Sequence, residues 1–142
     1  QDSEEEVCAI ESLVGDLLGC TVAVNGALPR PMELSDILIV APFNMQVRAL
    51  KQRLGASARI GSVDKFQGQE APVVIVSMCA STLDDAPRGS GFLLSRNRLN
   101  VAISRAQALA IVVASGRLGD VRVCSVEEMQ LVSGWCRIEG VA

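Results

Sequence analysis

Histidine is absent from these 142 residues. That gap removes Ser-His-Asp and Cys-His catalysis and nearly all zinc-hydrolase chemistry. Any reaction the chain joins must draw on carboxylates, on arginines or on a partner. Aromatic residues are scarce at 3%, so platforms on which unpaired bases stack are nearly missing. Phe43, Phe66 and Phe92 are the only small rings, and Trp135 reads as core. Positive charge is not in excess either. Thirteen basic against sixteen acidic side chains leave a net charge of −3, so no global field holds nucleic acid and phosphate binding must be local. Part of the acidity is concentrated in Glu4-Glu5-Glu6. No apolar run approaches the roughly 18 residues of a membrane span, and no membrane partner is expected. The five cysteines, at 8, 20, 79, 124 and 136, are odd in number and show no C-x-x-C spacing. They read as reduced, mostly buried thiols, which points to the cytosol. No metal site is expected. Neither a G-x-x-x-x-G-K-[ST] phosphate loop nor an acidic strand-end motif for magnesium is present.

What is present fits one domain with a single core, large enough to bury roughly two-thirds of its unfolded surface. Ser3 with Glu6 makes a capping-box pattern, and Val7, Ile10, Leu13, Val14, Leu17 and Leu18 follow at helical spacing. A helix over about 4–18 is expected. A loop over 25–36 follows, with Thr21 to Val24 able to add a short edge strand. Ile37-Leu-Ile-Val-Ala41 has the continuous apolar pattern of a strand buried on both faces of a parallel sheet. Asn44 is a good cap for a helix that Gly55 closes. Further strands are expected at Arg59–Val63, Val73–Met78 and Leu109–Ala114, and a short last one at Val121–Cys124. A helix carrying Leu99, Ala102, Ile103 and Ala106 precedes the Leu109 strand. A closing helix follows a second capping box, Ser125 with Glu128, with Met129, Val132 and Trp135 on one face. Strands alternating with helices imply an α/β domain of three layers, α/β/α, around a mainly parallel sheet. The chain opens at Gln1 directly into a helix signal, with no secretory signal, as a domain cut from something longer would.

In such sheets anions gather where strands run into turns and helix N-termini, because unpaired backbone N–H groups point there. Two stretches obey that rule. In Pro42-Phe-Asn-Met-Gln46, the amides of Asn44 and Gln46 suit a phosphate, a ribose or a base, or serve only as cap and solvated first turn. In Ser62-Val-Asp-Lys-Phe-Gln-Gly-Gln-Glu70, Ser62 can donate to a phosphate oxygen, Glu70 can accept from a sugar hydroxyl, and Gly68 leaves the backbone open to a ligand. The same residues also suit a plain turn with Asp64 as cap and Gly68 at positive φ. A third stretch, Arg98-Leu-Asn-Val-Ala-Ile-Ser-Arg-Ala106, sets Arg98 and Arg105 seven apart, on one helix face about 10 Å from each other. Guanidiniums fork onto phosphoryl oxygens, although arginine in a helix's last turn is also favoured by the macrodipole.

Taken together, residues 40–46, 62–70 and 98–106 resemble, in order and separation, motifs four, five and six of superfamily 1 helicases. The likeness is strongest to the up-frameshift-like branch, with its Ser-Val-Asp-x-Phe-Gln-Gly-x-Glu and Arg-Leu-Asn-Val-Ala-x-[Ser/Thr]-Arg-Ala patterns. Phe43, Gln69 and Gln107 depart from the tyrosine and basic residues common at those places. The resemblance covers most of the chain and implies the second, C-terminal RecA-like domain of such a helicase.

That family hydrolyses ATP between two RecA-like domains and steps along single-stranded DNA or RNA. The resemblance makes Arg105 the arginine finger, puts Gly68, Glu70 and Arg105 toward the nucleotide, and gives Arg98 a weaker place there. It turns Pro42, Asn44, Gln46, Ser62 and Asp64 toward the nucleic acid. It implies ATP with Mg2+, bound mainly by the N-terminal RecA-like domain of the same parent chain, and no hydrolysis by these residues alone. The competing expectation is a catalytically silent nucleic-acid-binding or adaptor module. A flavodoxin-like small-molecule binder would require all three motif matches to be chance.

Overall fold

The structure is a computed structural model that describes residues 3–79, 94–118 and 125–140. The first helix, α1 (Glu4–Leu18), starts where its cap stands, with Ser3 Oγ accepting from the Glu6 N–H at 3.4 Å. Val7, Ile10 and Val14 are its buried stripe. A small antiparallel hairpin follows, β1 (Thr21–Val22) paired with β2 (Arg30–Pro31). It lies outside the main sheet.

The main sheet is built on β3 (Ile37–Val40), buried at every position. Parallel to it run β4 (Arg59–Gly61) on one side and β5 (Ala71–Ser77) on the other. Next to β5 lies β6 (Ala106–Val113), giving the order β4-β3-β5-β6. Because side chains alternate across a strand, β3 and β5 feed two separate cores. Ile37, Ile39, Val73 and Ile75 pack with Val7, Ile10 and Val14 of α1 and Leu50 of α2 (Asn44–Leu54). Leu38, Val40, Val74 and Val76 pack with Leu99 and Ala102 of α3 (Arg96–Ile103) and Trp135 of α4 (Val126–Glu139). The expected three-layer α/β/α arrangement with a parallel sheet is what forms, and it is the arrangement of a RecA-like domain.

Several boundaries differ from the expectation for identifiable reasons. Strand β5 starts at Ala71, ahead of Val73, and takes in Pro72. Proline has no N–H for the ladder, and the β5–β6 register slips between Ala71 and Val73, which accommodates it. The cap of α2 is Phe43, with no side-chain hydrogen bond, and Asn44 is already helical. Helix α3 stops at Ile103, so Arg105 lies beyond it. In α4, Trp135 is buried but Met129 is 60% exposed. Cys8 and Cys20 are exposed, Cys79 is buried, and none of the three is in a disulfide; the mostly buried set expected above is therefore only partly met. The expected strand at Val121–Cys124 and loop at 80–91 fall outside the described residues. No helix among the described residues is long and apolar enough to cross a membrane.

One ion pair fixes the hairpin to the sheet. Arg30 donates through both terminal nitrogens to Asp36, each at 2.7 Å, and Asp36 also accepts from the Glu33 N–H at 2.8 Å. The hydrogen bonds from Arg30, outweighing the opposing effect of burial, hold the Asp36 carboxyl below its ordinary value of 3.8. A depressed carboxyl stabilises the fold above its unfolded-state value and loses that contribution as pH falls through the folded one. Urea titrations should therefore show wild-type stability declining below about pH 4. Asp36→Asn should be less stable at neutral pH and lack this increment of acid sensitivity; identical pH profiles would remove the ion pair's role.

Candidate functional site

From β3 the chain moves outward to β4, then returns across β3 to β5 and continues to β6. The order reverses between β3 and β5, and in open α/β sheets the crevice at the carboxyl ends of such strands is where ligands bind. Here that crevice is lined by Pro42 after β3, Ser62 after β4, Ser77 and Met78 at the end of β5, and Arg98 and Leu99 of α3. A second concavity, of about 240 Å³, opens beside it between the 62–70 turn and α3. Val63, Asp64, Gln67, Asn97, Arg98, Val101 and Arg105 line it. Two guanidiniums, two amides and one carboxylate surround this space, a donor-rich balance that suits phosphoryl oxygens.

Glycine permits the turn that supplies half of these groups. A Cβ on Gly61 would stand 2.5 Å from Lys65 Cδ and 3.1 Å from the Phe66 ring, so a larger residue there would have to push the Lys65 side chain aside and crowd the ring. Lys65 is used within the turn: its Nζ donates to the Ile60 carbonyl at 3.2 Å and lies 5.5 Å from the Phe66 ring centre. Gly68 has φ +78, the left-handed turn conformation that favours glycine, with nothing within 4 Å of where a Cβ would stand. Gln69 accepts from Arg59 at 3.1 Å. Glu70, exposed, accepts from Gln107 at 3.3 Å.

The other half comes from α3 and the residues after it. Ser104, the C-cap, keeps right-handed helical dihedrals, so Arg105 still projects into the same concavity as Arg98 although the helix has ended. Its backbone is tied at both groups, the N–H donating to Ala102 O at 3.2 Å and the carbonyl accepting from Ala71 N at 3.0 Å. Its Nε is buried and finds no hydrogen-bond partner among the described residues.

The expected site residues thus fall into groups. Pro42, Ser62 and Arg98 share the crevice; Asp64, Arg98 and Arg105 share the concavity beside it. Gly68 and Glu70 line neither and stand at the entry to β5. Asn44 is exposed at the start of α2. Gln46 is set apart, wholly buried, with its amide accepting from Ser3 N at 2.8 Å and donating to Ser77 Oγ at 3.1 Å. Its polar atoms face inward and not toward the crevice. Gln67 and Asn97 join the concavity without having been singled out. The available signal was the stripe Asn97, Val101 and Arg105 at four-residue intervals.

A family model described as an AAA domain matches residues 2–117. The chain belongs to that family, a superfamily 1 helicase-type domain. Relatives of this AAA domain include DNA polymerase alpha-associated DNA helicase A of Schizosaccharomyces pombe, 41% identical over 85 residues, covering 58% of the chain and 12% of that protein. DNA-binding protein SMUBP-2 of Rattus norvegicus is 32% identical over 113 residues, covering 78% of the chain and 11% of that protein. Probable RNA helicase armi of Drosophila melanogaster is 36% identical over 107 residues, covering 69% and 9%. The AAA domain described here is thus a helicase-family domain that spans only about a tenth of the length of these curated relatives.

Proposed function

We propose that this chain is the second motor domain of an ATP-dependent DNA or RNA helicase or translocase, contributing an arginine finger and part of a single-strand surface to a cleft shared with an N-terminal RecA-like domain. The observation that carries this reading is the concavity where Arg98 and Arg105 meet Asp64 and Gln67. Residues of two motifs line it, all three motifs meet in the adjoining crevice through Pro42, Ser62 and Arg98, and the Arg105 Nε is buried without a hydrogen-bond partner among the described residues. Mg·ATP, bound mainly by the first domain, would be the substrate, its β–γ phosphoanhydride bond breaking as the γ-phosphoryl group passes to water with ADP as the leaving group. The residues of this chain fit such a group through their cations: a guanidinium at 105 would neutralise charge developing on the γ-phosphate. Glu70 accepts from a ribose hydroxyl, and Gly68 offers uncrowded backbone on the same side. Ser62 donates to a strand phosphate, with Pro42, Asn44 and Asp64 framing it, while Arg98 stands between the two groups. Gln46 serves the strand side from inside the fold.

The test compares ATP turnover by the 142-residue chain with that of the protein containing both RecA-like domains, with and without oligodeoxythymidylate or oligouridylate. The two-domain protein should be strand-stimulated and the chain alone should stay at background. Turnover by the chain alone overturns the two-domain reading. Strand binding without turnover in the larger protein would return the silent binding module.

A further inference from the structure

The end of β5 is held by a polar network that none of the three motifs explains. Glu6 of α1, 5% exposed, accepts through Oε2 from Ser77 Oγ at 2.6 Å and from the Cys79 N–H at 2.9 Å. Ser77 Oγ accepts in turn from Gln46 Nε2 at 3.1 Å, and Gln46 Oε1 accepts from Ser3 N at 2.8 Å. Gln46, Ser77 and Cys79 are each 0% exposed. Burying a carboxylate and an amide is costly unless their atoms are bonded, and here the bonds join three elements: the start of α1, the first turn of α2 and the exit of β5. Cys79 has φ +57, a left-handed conformation that a side chain resists and that surrounding contacts must enforce. Its N–H bond to Glu6 is such a contact. The network lies on the α1–α2 face of the sheet, yet Ser77 and Met78 also line the crevice with Pro42, Ser62 and Arg98.

We infer that Glu6, Ser77 and Gln46 are positioning residues for the crevice, fixing the Pro42–Asn44 turn against the exit of β5 so that its phosphate-facing groups keep their spacing. Glu6 and Gln46 act from the far face of the sheet, and Ser77, although it borders the crevice, is wholly buried, so none of the three touches a ligand. The inference rests on the crevice being the strand surface proposed above. It gives Glu6 a task other than closing the Ser3 capping box, and it explains why Gln46 can serve that surface while wholly buried.

The test uses the protein with both motor domains and measures ATP turnover against oligodeoxythymidylate concentration. Ser77→Ala removes both hydrogen bonds of the hydroxyl and should raise the half-saturating strand concentration about tenfold, the scale of a buried polar group left without its partner, while kcat at saturating strand stays within about twofold. Ser77→Thr and Glu6→Gln, which keep the hydroxyl and the acceptor, should restore most of the affinity. A folded Ser77→Ala protein with wild-type half-saturation overturns the inference, as does an equal loss in kcat. Should Ser77→Ala fail to fold, Ser77→Cys keeps a small side chain with a weaker donor and is judged by the same criteria. If no strand stimulates the wild-type protein, the functional proposal fails separately, and amide hydrogen exchange decides this one. Faster exchange at 43–45 and at Cys79 in Ser77→Ala or Ser77→Cys upholds the positioning role; a change confined to α1 overturns it.

Discussion

Arg105→Ala, in the proposed protein of two RecA-like domains, is expected to lower kcat for strand-stimulated ATP hydrolysis by roughly three orders of magnitude or more, the scale of arginine fingers in general. The expectation follows from where the guanidinium stands. It borders a concavity already lined by Arg98, Gln67 and Asn97, and its Nε has no hydrogen-bond partner among the described residues. A finger stabilises charge that develops only in the transition state, so nucleotide affinity should change far less than turnover. Arg105→Lys should recover little of the loss, because a lysine keeps the charge but not the planar fork. Single-turnover hydrolysis together with nucleotide binding separates the two quantities. Unchanged turnover would remove Arg105 from the chemistry, and an equal loss of affinity and rate would make it a binding residue only.

A comparably large effect, on stability, is expected from Trp135→Ala. Trp135 is 2% exposed and joins Leu94, Leu99, Ala102, Leu118 and alternate residues of β3 and β5 in one core. Truncating such a side chain removes its transfer energy and leaves a cavity, costing about 3–5 kcal/mol. That is a large share of the roughly 5–15 kcal/mol by which domains are stable. The indole Nε1 is buried without a hydrogen-bond partner among the described residues, so Trp135→Phe sacrifices volume but no bond there and should cost much less than the alanine. Urea unfolding of the two variants measures the difference. A cost below about 1 kcal/mol for Trp135→Ala would place the indole outside the core's energetics.

The layers of the fold were legible in the sequence because periodicity records burial directly. A run such as Ile37–Val40 admits few readings other than a strand covered on both faces, and both clusters form around it. Boundaries were less legible because they depend on partners distant in the chain. Pro72 enters β5 through a register slip against β6 that only the pairing reveals. The Ser3–Glu6 pattern was correct about Ser3, but the Glu6 carboxylate is bonded to Ser77 and Cys79, more than 70 residues away. In the candidate site, Arg98, Arg105 and Asp64 line one concavity, whereas the motif resemblance divided them between nucleotide and nucleic acid. The inward turn of Gln46 could not be read from spacing: an amide in the first turn of a helix looks the same whether solvent or a buried serine faces it.

The carbonyl of Arg105 accepts from the N–H of Ala71, and the next residue, Ala106, pairs with Ala71 as the first rung between β5 and β6. The arginine is thus rooted in the ladder, not carried on a mobile loop, and only its side-chain torsions are free to adjust. Whatever brings its main chain nearer to a phosphate must carry the sheet along as a rigid body. The stroke length of such a motor would therefore be set by how far the whole domain swings, and softening a hinge outside these strands should alter it more than any change in the 62–70 turn.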